Sequence, residues 1–369
     1  MKVTLEKTPL ARAIAAVSSV VAARTTLPVL SCFLLSFDKK SFLLRATDLD
    51  LWVDVSGVHG GADGECAVAL PAKTFGDVVR ALPAEACWLE VGGDADVTLS
   101  SGSAVFKVRG MVASDFPARP ETGGEGVSFS LPQAELKAML RRTAFAASRD
   151  ESRYFLQGVL FRADGKSLTL VATDGRRLSK TSRKLSIKGA DISAIVPSKT
   201  VAILEKVLGD EGEIEISLEP RQASFRVDGI NILSRLVEGN FPNYEQVIPK
   251  SNQRVMRADR RELAEALARV ALMTSDKSAA VRVKLTAGRL ELSAASAEGE
   301  AREELPVGYE GEDLTVAFNP GFVVEFLRAT DAEEIDVKLN DPLSPGLMEP
   351  VVEGKAQMEH LYVVMPIKI

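Results

Sequence analysis

The sequence is poor in the residues from which compact active sites are usually built. Its 369 residues include three cysteines and two histidines. Cys32, Cys66 and Cys87 all fall in the first third of the chain, a pattern typical of isolated thiols in a reducing compartment and not of a disulfide or metal framework. Neither His59 nor His360 stands beside a serine or cysteine in a nucleophile motif. The sequence therefore gives no support to nucleophilic catalysis.

Motifs for nucleotide, dinucleotide and zinc chemistry are also missing from the sequence. It contains no GxxxxGK(S/T) loop, no GxGxxG after a strand and no HExxH. His59 and Asp63 are close enough in sequence to suggest a metal pair, but a solvated turn is the favoured interpretation. We therefore expect no metal, no cofactor and no enzymatic activity. An enzyme whose residues are scattered among loops stays an open alternative.

The sequence has no hydrophobic run long enough to cross a bilayer. The most apolar helical run, Ile14 to Ala23, is too short to do so. A signal peptide is the alternative interpretation of this segment. Leu10, Ile14 and Val17 follow helical spacing and similar helices recur downstream, so packing in a core is favoured. We expect a cytoplasmic protein that does not bind membranes.

One structural pattern occurs three times along the chain. Between Gly158 and Ser182, apolar residues alternate along a strand, Asp164-Gly165 supplies a tight turn, and a second strand returns. Comparable hairpins turn at residues 38–40 and 287–288. A helix with one apolar face precedes each hairpin, and a second helix with a proline near its start follows. The predicted helices occupy residues 8–24, 73–81, 132–149, 198–208, 259–277 and 320–330.

The distance between the copies indicates repeated domains. The first two copies are about 126 residues apart, which is longer than the period of a solenoid. Polar linkers at Arg119–Gly126 and Pro249–Arg254 separate the repeats. The sequence thus predicts an α+β protein with three tandem domains, residues 1–120, 127–248 and 254–369. Each domain is expected to pack two helices on antiparallel sheet.

Charge is distributed unevenly between the predicted helices and the rest of the chain. The helices contain 15 Lys/Arg and 8 Asp/Glu, whereas the remainder contains 30 basic and 43 acidic residues. One interpretation is that these are ordinary solvated helix faces. The other is a polyanion that lies along the helices alone and is bound without sequence preference, since salt screens distant charge and no base-reading motif is present. The candidate cations are Arg12, Arg24, Lys73, Arg80, Lys137, Arg141, Arg142, Arg149, Arg153 and Lys199.

The repeats and several local motifs resemble the bacterial sliding clamp family, the β subunits of DNA polymerase III. The resemblance covers the whole chain and is most specific at residues 24–30, 171–175, 240–244 and 362–366. It implies a head-to-tail homodimer whose six clamp-type domains form a closed ring around double-stranded DNA, with helices lining the hole. It also implies opening by a clamp-loader ATPase complex. The resemblance implies that the following residues face DNA: Arg24, Lys73, Arg80, Arg149, Arg153, Tyr154 and Lys199.

The resemblance further implies a peptide-binding groove between the second and third domains. It would receive short linear peptides from the DNA polymerase III α subunit, the clamp loader, and other polymerases or repair proteins. We expect Leu178 to be exposed in an apolar slot with the guanidinium groups of Arg176 and Arg177 at its rim. Arg176-Arg177-Leu178 occurs in one repeat alone, which favours a function at that copy. The implied groove residues are Leu156, Thr173, Gly175, Arg176, Arg177, Leu178, Pro242, Val247, Phe322, Met348, Val363, Val364, Met365 and Pro366.

The same resemblance implies a dimer interface between the first domain of one chain and the third domain of another. Phe106 and Val108 would lie on a strand that extends the partner's sheet, facing Leu272 and Met273. Such a heterologous contact closes into a ring and does not grow into a fibre. The acidic residues expected on the third-domain side are Glu298, Glu300, Glu303 and Glu304.

Two other function classes are alternatives at this point. A DNA-metabolising enzyme would turn over nucleotide or nucleic acid. A DNA-binding regulator built on repeats would bind short linear duplex with sequence preference.

Overall fold

The computed structural model gives the positions of nearly all residues of the chain. Within that described part, the chain forms six α-helices and 26 β-strands, and every strand pair is antiparallel. No helix in the same part is long and apolar enough to span a membrane. The described residues are 1–21, 25–188, 191–274, 279–352, 354 and 358–368.

The first repeat contains the hairpin that the alternating apolar residues predict. Phe33 and Leu35 on one strand, and Phe42 and Leu44 on the next, are all buried. Two helices flank this hairpin in sequence. The elements are β1 (Lys2–Glu6), α1 (Lys7–Val17), β2 (Cys32–Phe37), β3 (Ser41–Thr47), β4 (Leu51–Val58), β5 (Gly61–Ala62), β6 (Cys66–Pro71), α2 (Ala72–Ala81), β7 (Ala86–Val91), β8 (Asp96–Ser101), β9 (Ala104–Arg109) and β10 (Met111–Val112).

The second repeat has the same order of elements around its hairpin. Asp164 and Gly165 lie in the predicted turn, where the Asp164 N–H donates to the Ser167 carbonyl oxygen at 3.2 Å. The elements are β11 (Val127–Pro132), α3 (Gln133–Thr143), β12 (Gly158–Ala163), β13 (Ser167–Thr173), β14 (Arg177–Lys184), β15 (Ile192–Pro197), α4 (Ser198–Val207), β16 (Glu213–Leu218), β17 (Gln222–Val227) and β18 (Ile230–Arg235).

The third repeat also confirms the predicted hairpin. Its turn lies at Ala287-Gly288, and Leu285 pairs with Leu290 across it. The elements are β19 (Arg254–Asp259), α5 (Arg260–Ala271), β20 (Val281–Thr286), β21 (Arg289–Ser296), β22 (Gly299–Pro306), β23 (Leu314–Phe318), α6 (Pro320–Ala329), β24 (Glu334–Leu339), β25 (Gly346–Pro350) and β26 (Met358–Val364).

The strands of neighbouring repeats join into continuous sheets. The chain forms two compact units, Met1–Ala134 with Ala202–Leu236 and Glu135–Val201 with Val237–Ile369. In the first unit β4 pairs with β18, and in the second unit β14 pairs with β26. Because these ladders cross the repeat boundaries, the second repeat is divided between the units. The strand orders are β5-β1-β7-β8-β9 and β10-β6-β2-β3-β4-β18-β17-β16-β11 in the first unit, and β15-β12-β13-β14-β26-β25-β24-β19 and β22-β21-β20-β23 in the second.

The first helix of each repeat is shorter than the sequence pattern predicts. α1, α3 and α5 end at Val17, Thr143 and Ala271, whereas the apolar spacing predicts ends at residues 24, 149 and 277. Residues 22–24 and 275–277 of these predictions lie outside the described residues.

A side-chain hydroxyl bonds back to the last turn of each of these helices. Ser18 donates to the Ile14 carbonyl oxygen, and Thr143 donates to that of Met139 at 2.8 Å. Thr274 donates in the same way to the Ala271 carbonyl oxygen at 2.8 Å. At Ile14 and Ala271 the hydroxyl bond adds to a backbone N–H bond that the same carbonyl oxygen already accepts. The spacing of apolar residues does not predict such side-chain bonds.

A buried carboxylate ties the first predicted linker to the nine-stranded sheet. Asp54 accepts hydrogen bonds from Arg45 Nε at 2.7 Å and from Arg119 Nη1 at 2.8 Å. Arg119 also donates to Asn231 Oδ1 at 3.0 Å. The charges of this network are tolerated inside the unit because each has an opposite partner.

Replacing Asp54 by alanine should destabilise the first unit strongly. The change leaves two largely buried guanidinium groups without their carboxylate, so we expect a loss of about 3–5 kcal/mol in the free energy of unfolding. Both tryptophans, Trp52 and Trp88, belong to this unit, so urea unfolding followed by tryptophan fluorescence reports on it.

Asp50→Ala is the matched control for this experiment. It removes an exposed ion pair with Arg235 whose N–O distance is 3.5 Å, and we expect a loss below about 1 kcal/mol. Equal losses in the two variants would contradict a structural role for the buried network.

Candidate functional site

The turn between β13 and β14 is shaped by its own side chains. Gly175 has a φ of +85°, a left-handed conformation that glycine adopts without a steric penalty. Asp174 Oδ1 accepts hydrogen bonds from the backbone N–H groups of Arg176 and Arg177, at 2.9 and 3.0 Å. Thr173 Oγ1 accepts from the Gly175 N–H at 3.1 Å. The motif ATDGRRL therefore encodes a specific turn that leads directly into β14.

The last strand of the chain completes the site from a distant part of the sequence. β14 pairs with β26, which places Leu178 opposite Val363 and Arg177 opposite Val364. Beyond β26, the Met365 N–H donates to the Arg176 carbonyl oxygen at 2.9 Å. This bond keeps the Met365 side chain, which is 42% exposed, beside the turn.

The turn and the end of β26 border an open cavity of about 130 Å³ in the second unit. Its floor is apolar, since Leu156, Leu178 and Val363 are buried there. Val247 and Met365 are exposed at its rim. Exposed apolar side chains around an apolar cavity are suited to bind a bulky apolar side chain. The lining residues are Leu156, Thr173, Gly175, Arg176, Arg177, Leu178, Pro242, Asn243, Tyr244, Val247, Val363 and Met365.

The expectation that Leu178 is exposed is wrong. Its side chain is 2% exposed and belongs to a small core with Leu160, Val171 and Val363. The leucine follows a polar turn, which favours exposure, but its side chain packs in a cluster that also contains Tyr244 and Val363. Leu178 therefore forms the floor of the cavity.

The expectation that both arginines of the motif lie at the rim is also wrong for one of them. Arg177 is buried, donates to the Phe145 carbonyl oxygen at 2.8 Å, and forms an ion pair with Glu325. Its guanidinium lies 4.3 Å from the centre of the Phe322 ring. Burial alone would lower the pKa of Arg177, but the hydrogen bond to Glu325 and nearby negative charges raise it above its usual value. Arg177 thus supports the turn from inside, whereas Arg176 is exposed.

Four predicted groove residues do not line this cavity. Met348 and Val364 are buried in the core of the third repeat, because the inward face of their strands points there. Phe322 packs against the same core and lies under Arg177. Pro366 is half-buried just beyond the lining residues.

Two lining residues, Asn243 and Tyr244, are missing from the sequence-based prediction. Both directly follow Pro242 within the Asn-Phe-Pro-Asn-Tyr segment. The Tyr244 ring packs edge to face with Phe241, with 6.4 Å between ring centres. Their position beside the predicted Pro242 is the signal that could have identified them.

The predicted DNA-facing residues fall in both compact units. Lys73 and Arg80 are exposed on α2 in the first unit, and Arg80 forms an ion pair with Asp77. Arg24 lies outside the described residues.

In the second unit, the remaining predicted DNA-facing residues are exposed near the ends of two helices. Arg149, Arg153 and Tyr154 follow α3, and Lys199 lies in the first turn of α4. Gln157, three residues after Tyr154, contacts the start of α4, where the Ser198 N–H donates to the Gln157 carbonyl oxygen at 3.0 Å.

Two cations of α3 have partners inside the second unit. Arg141 and Arg142 both contact the Asp331 carboxylate. Burial lowers the pKa of Arg142, whose side chain is mostly covered. The charge pattern of the sequence therefore overstates the number of cations that are open to a ligand on this helix.

Two sheet edges carry the residues predicted for the dimer interface. β9 is the edge of the five-stranded sheet, with Phe106 half-buried and Val108 buried against its own unit. β22 is the edge of the four-stranded sheet. Leu272, just after α5, is 79% exposed, and Met273 is half-buried.

The acidic residues near β22 differ in their surroundings. Glu298 and Glu300 are exposed. Glu303 forms an ion pair with Arg269 at 2.6 Å, and the Glu304 carboxylate lies 3.0 Å from a guanidinium nitrogen of Arg289. Half of the predicted acidic set is therefore already paired within the chain.

In the part of the chain that the structure describes, no three His, Cys, Asp or Glu side chains lie close enough together to hold a metal ion. His59 Nε2 lies 2.9 Å from the Asp38 carbonyl oxygen, and Asp63 accepts a hydrogen bond from the Lys2 N–H at 2.8 Å. Both side chains contact backbone groups of other segments in the first repeat.

Comparison with known proteins identifies the family. Sequence models of the N-terminal, central and C-terminal domains of the DNA polymerase III beta subunit match residues 1–120, 130–243 and 245–368. The beta sliding clamps of Vibrio cholerae and Escherichia coli K12 are each 32% identical to the chain, over 372 and 374 residues that cover 100% of both sequences.

Solved structures give the same result. Those of the DNA polymerase III beta subunits from Pseudomonas aeruginosa and Thermotoga maritima have TM-scores of 0.94 and 0.91 and 30% identity. Each covers 100% of this chain, which in turn covers 100% and 99% of the two structures. The chain therefore belongs to the DNA polymerase III beta subunit family, the sliding clamps that serve as processivity factors of DNA polymerase.

Proposed function

We propose that two copies of this sliding clamp close into a ring around duplex DNA and tether polymerases through the cavity above Leu178. The observation that carries the tethering role is the apolar cavity with Val247 and Met365 exposed at its rim. In this proposal each chain contributes three domains, residues 1–120, 127–248 and 254–369. The clamp works in the cytoplasm and has no catalytic activity of its own.

The occupant of the cavity is an extended peptide with a bulky apolar anchor. Leu178 and Val363 supply the apolar floor, and the exposed Arg176 offers a guanidinium to a polar or acidic residue of the same peptide. Such peptides belong to the DNA polymerase III α subunit, to the clamp loader, and to other polymerases or repair proteins. A short shared motif allows these partners to exchange at one groove.

DNA is held by weak phosphate contacts and by the closed ring. Lys73, Arg149 and Lys199 are exposed on or beside helices, where they can meet phosphates without reading bases. Because each contact is exchangeable, the ring can slide along the duplex. The excess of acidic residues in the strands and loops discourages DNA from binding elsewhere on the protein.

The ring closes when β9 of one chain meets β22 of another. Both are edge strands with unpaired backbone groups, which two chains can satisfy by continuing one sheet into the other. The exposed Leu272 adds apolar area, and Glu298 and Glu300 can pair with cations on the β9 side. The contact is heterologous, so two copies close a ring.

Replacing Val247 and Met365 together by alanine should weaken peptide binding. The changes remove apolar area that a bound anchor covers, and we expect a loss of roughly 1.5–3 kcal/mol, about 10- to 150-fold in Kd. Calorimetric titration with a peptide of the C-terminal residues of the α subunit measures the effect. Nearly half of each residue is exposed in the free protein, so the melting temperature should change little.

Leu343→Ala is the matched control for that titration. Leu343 is an exposed apolar residue of the same unit and lies outside the cavity lining. Its variant should bind the peptide like the wild type. A double rim variant with wild-type affinity would show that the peptide binds elsewhere.

Replacing Lys73 and Arg149 together by alanine should reduce the salt dependence of DNA binding. Each phosphate contact contributes about 0.9 to the slope of log K against log salt, so the slope should become shallower by about 1 to 2. Fluorescence anisotropy of a short linear duplex across a salt series gives this slope.

The control for the DNA experiment removes the same charge from strands. Arg226 on β17 and Lys284 on β20 are exposed cations outside the proposed DNA surface. Their double alanine variant should keep the wild-type slope. An equal decrease in both double variants would mean that net charge, and not the proposed surface, controls DNA binding.

A further inference from the structure

Arg153 connects the segment after α3 to the turn of the groove. Its Nη1 donates a hydrogen bond to the Asp174 carbonyl oxygen at 3.0 Å. The guanidinium also packs against the turn, because a Cβ at Gly175 would lie 2.9 Å from Nη1. About half of the Arg153 side chain is exposed, so a further partner can reach it.

The segment that carries Arg153 also contributes one wall of the cavity. Leu156, three residues later, is buried among the lining residues. The Ser148 N–H donates to the Leu156 carbonyl oxygen at 2.9 Å, which closes this segment into a compact loop. Thr173 and Gly175, on either side of Asp174 in the turn, line another wall. Arg153 therefore bridges two walls of the cavity through a single hydrogen bond.

The guanidinium of Arg153 retains donors for an anion. Nη1 is occupied by the Asp174 carbonyl oxygen, and Nε lies 3.6 Å from Asp150 Oδ2 in an exposed contact. A guanidinium has five N–H donors in a planar fork that matches a phosphate. A phosphate can displace the weak contact to Asp150 while the bond to Asp174 stays in place. Charge-assisted hydrogen bonds of this kind are stronger than those to neutral groups.

We propose that Arg153 couples DNA binding to peptide binding by fixing the two walls of the cavity when a DNA phosphate anchors its side chain. This inference rests on the proposed function of the groove. A long, half-exposed side chain held by one hydrogen bond loses rotamer entropy when it bridges the walls. A phosphate that has already ordered the side chain removes this cost from the peptide, so DNA raises peptide affinity. By linkage, the peptide raises DNA affinity by the same factor.

The test compares peptide affinity with and without saturating short duplex at low salt. The probe is a fluorescein-labelled peptide of the C-terminal residues of the α subunit, and saturation is confirmed for each variant by anisotropy of labelled duplex. The wild type should bind the peptide about fivefold more tightly with duplex present. Arg153→Ala should bind it equally in both conditions.

Two further variants separate coupling from charge. Arg149→Ala removes one cation from the same segment and should weaken duplex binding. It should still keep the fivefold ratio once duplex is saturating, because the hydrogen bond from this segment to the Asp174 carbonyl oxygen comes from Arg153. Arg153→Lys keeps the charge but loses the planar fork, so it should restore DNA affinity without restoring the ratio.

A fivefold ratio in Arg153→Ala would overturn the role of this residue. Equal affinity of the wild type in both conditions would overturn the coupling and leave the tethering proposal intact. If the wild type bound no peptide in either condition, the proposed function of the groove would fail instead.

Discussion

The site depends on the pairing of β14 with β26. This ladder runs from Arg177 opposite Val364 to Arg183 opposite Met358 and joins the second repeat to the third. Without it, the cavity beside the turn of the ATDGRRL motif would lack Val363 and Met365. The pairing places Val363 beside Leu178 in one buried cluster, and the bond from the Met365 N–H to Arg176 holds Met365 beside the turn. A binding site made in this way exists only in the folded chain.

Buried polar groups on this ladder are arranged to remain uncharged or paired. Ser179 donates its hydroxyl hydrogen to the Arg142 carbonyl oxygen, so His360 Nε2, 3.1 Å away, must be the donor toward Ser179 Oγ. Burial, together with the nearby Arg142 charge, lowers the pKa of His360 to about 3, and the imidazole is neutral at physiological pH. Arg177, which lies on β14 with Ser179, keeps its charge because it forms an ion pair with Glu325. The charges on this ladder at His360 and Arg177 therefore do not change near neutral pH.

Local sequence patterns predict the hairpins and helices because their causes are local. Asp164-Gly165 turns a chain whose apolar residues alternate, and Leu263, Leu267 and Val270 share one helix face. The details of the site depend on contacts with residues that are far away in the sequence. Leu178 is buried by a strand from the end of the chain, and Arg177 is withdrawn from the rim by Glu325 and Phe322 on α6. The sequence of the polar turn alone does not predict these partners. The resemblance to clamps supplied most lining residues, but it could not separate Met348 and Val364, which face the core, from neighbours that face the cavity.

We propose that a closed ring, and not tight contacts, holds the clamp on DNA. The most direct test loads the protein with its clamp loader on nicked circular DNA and measures retention by gel filtration at high salt, before and after linearisation. The account predicts retention on the circle and loss from the linear DNA. Leu272→Asp, which places a charge at an exposed residue of the proposed ring contact near Glu298 and Glu300, should be lost from both, whereas the control Leu343→Asp should behave like the wild type. Equal retention of the wild type on circular and linear DNA would contradict the account.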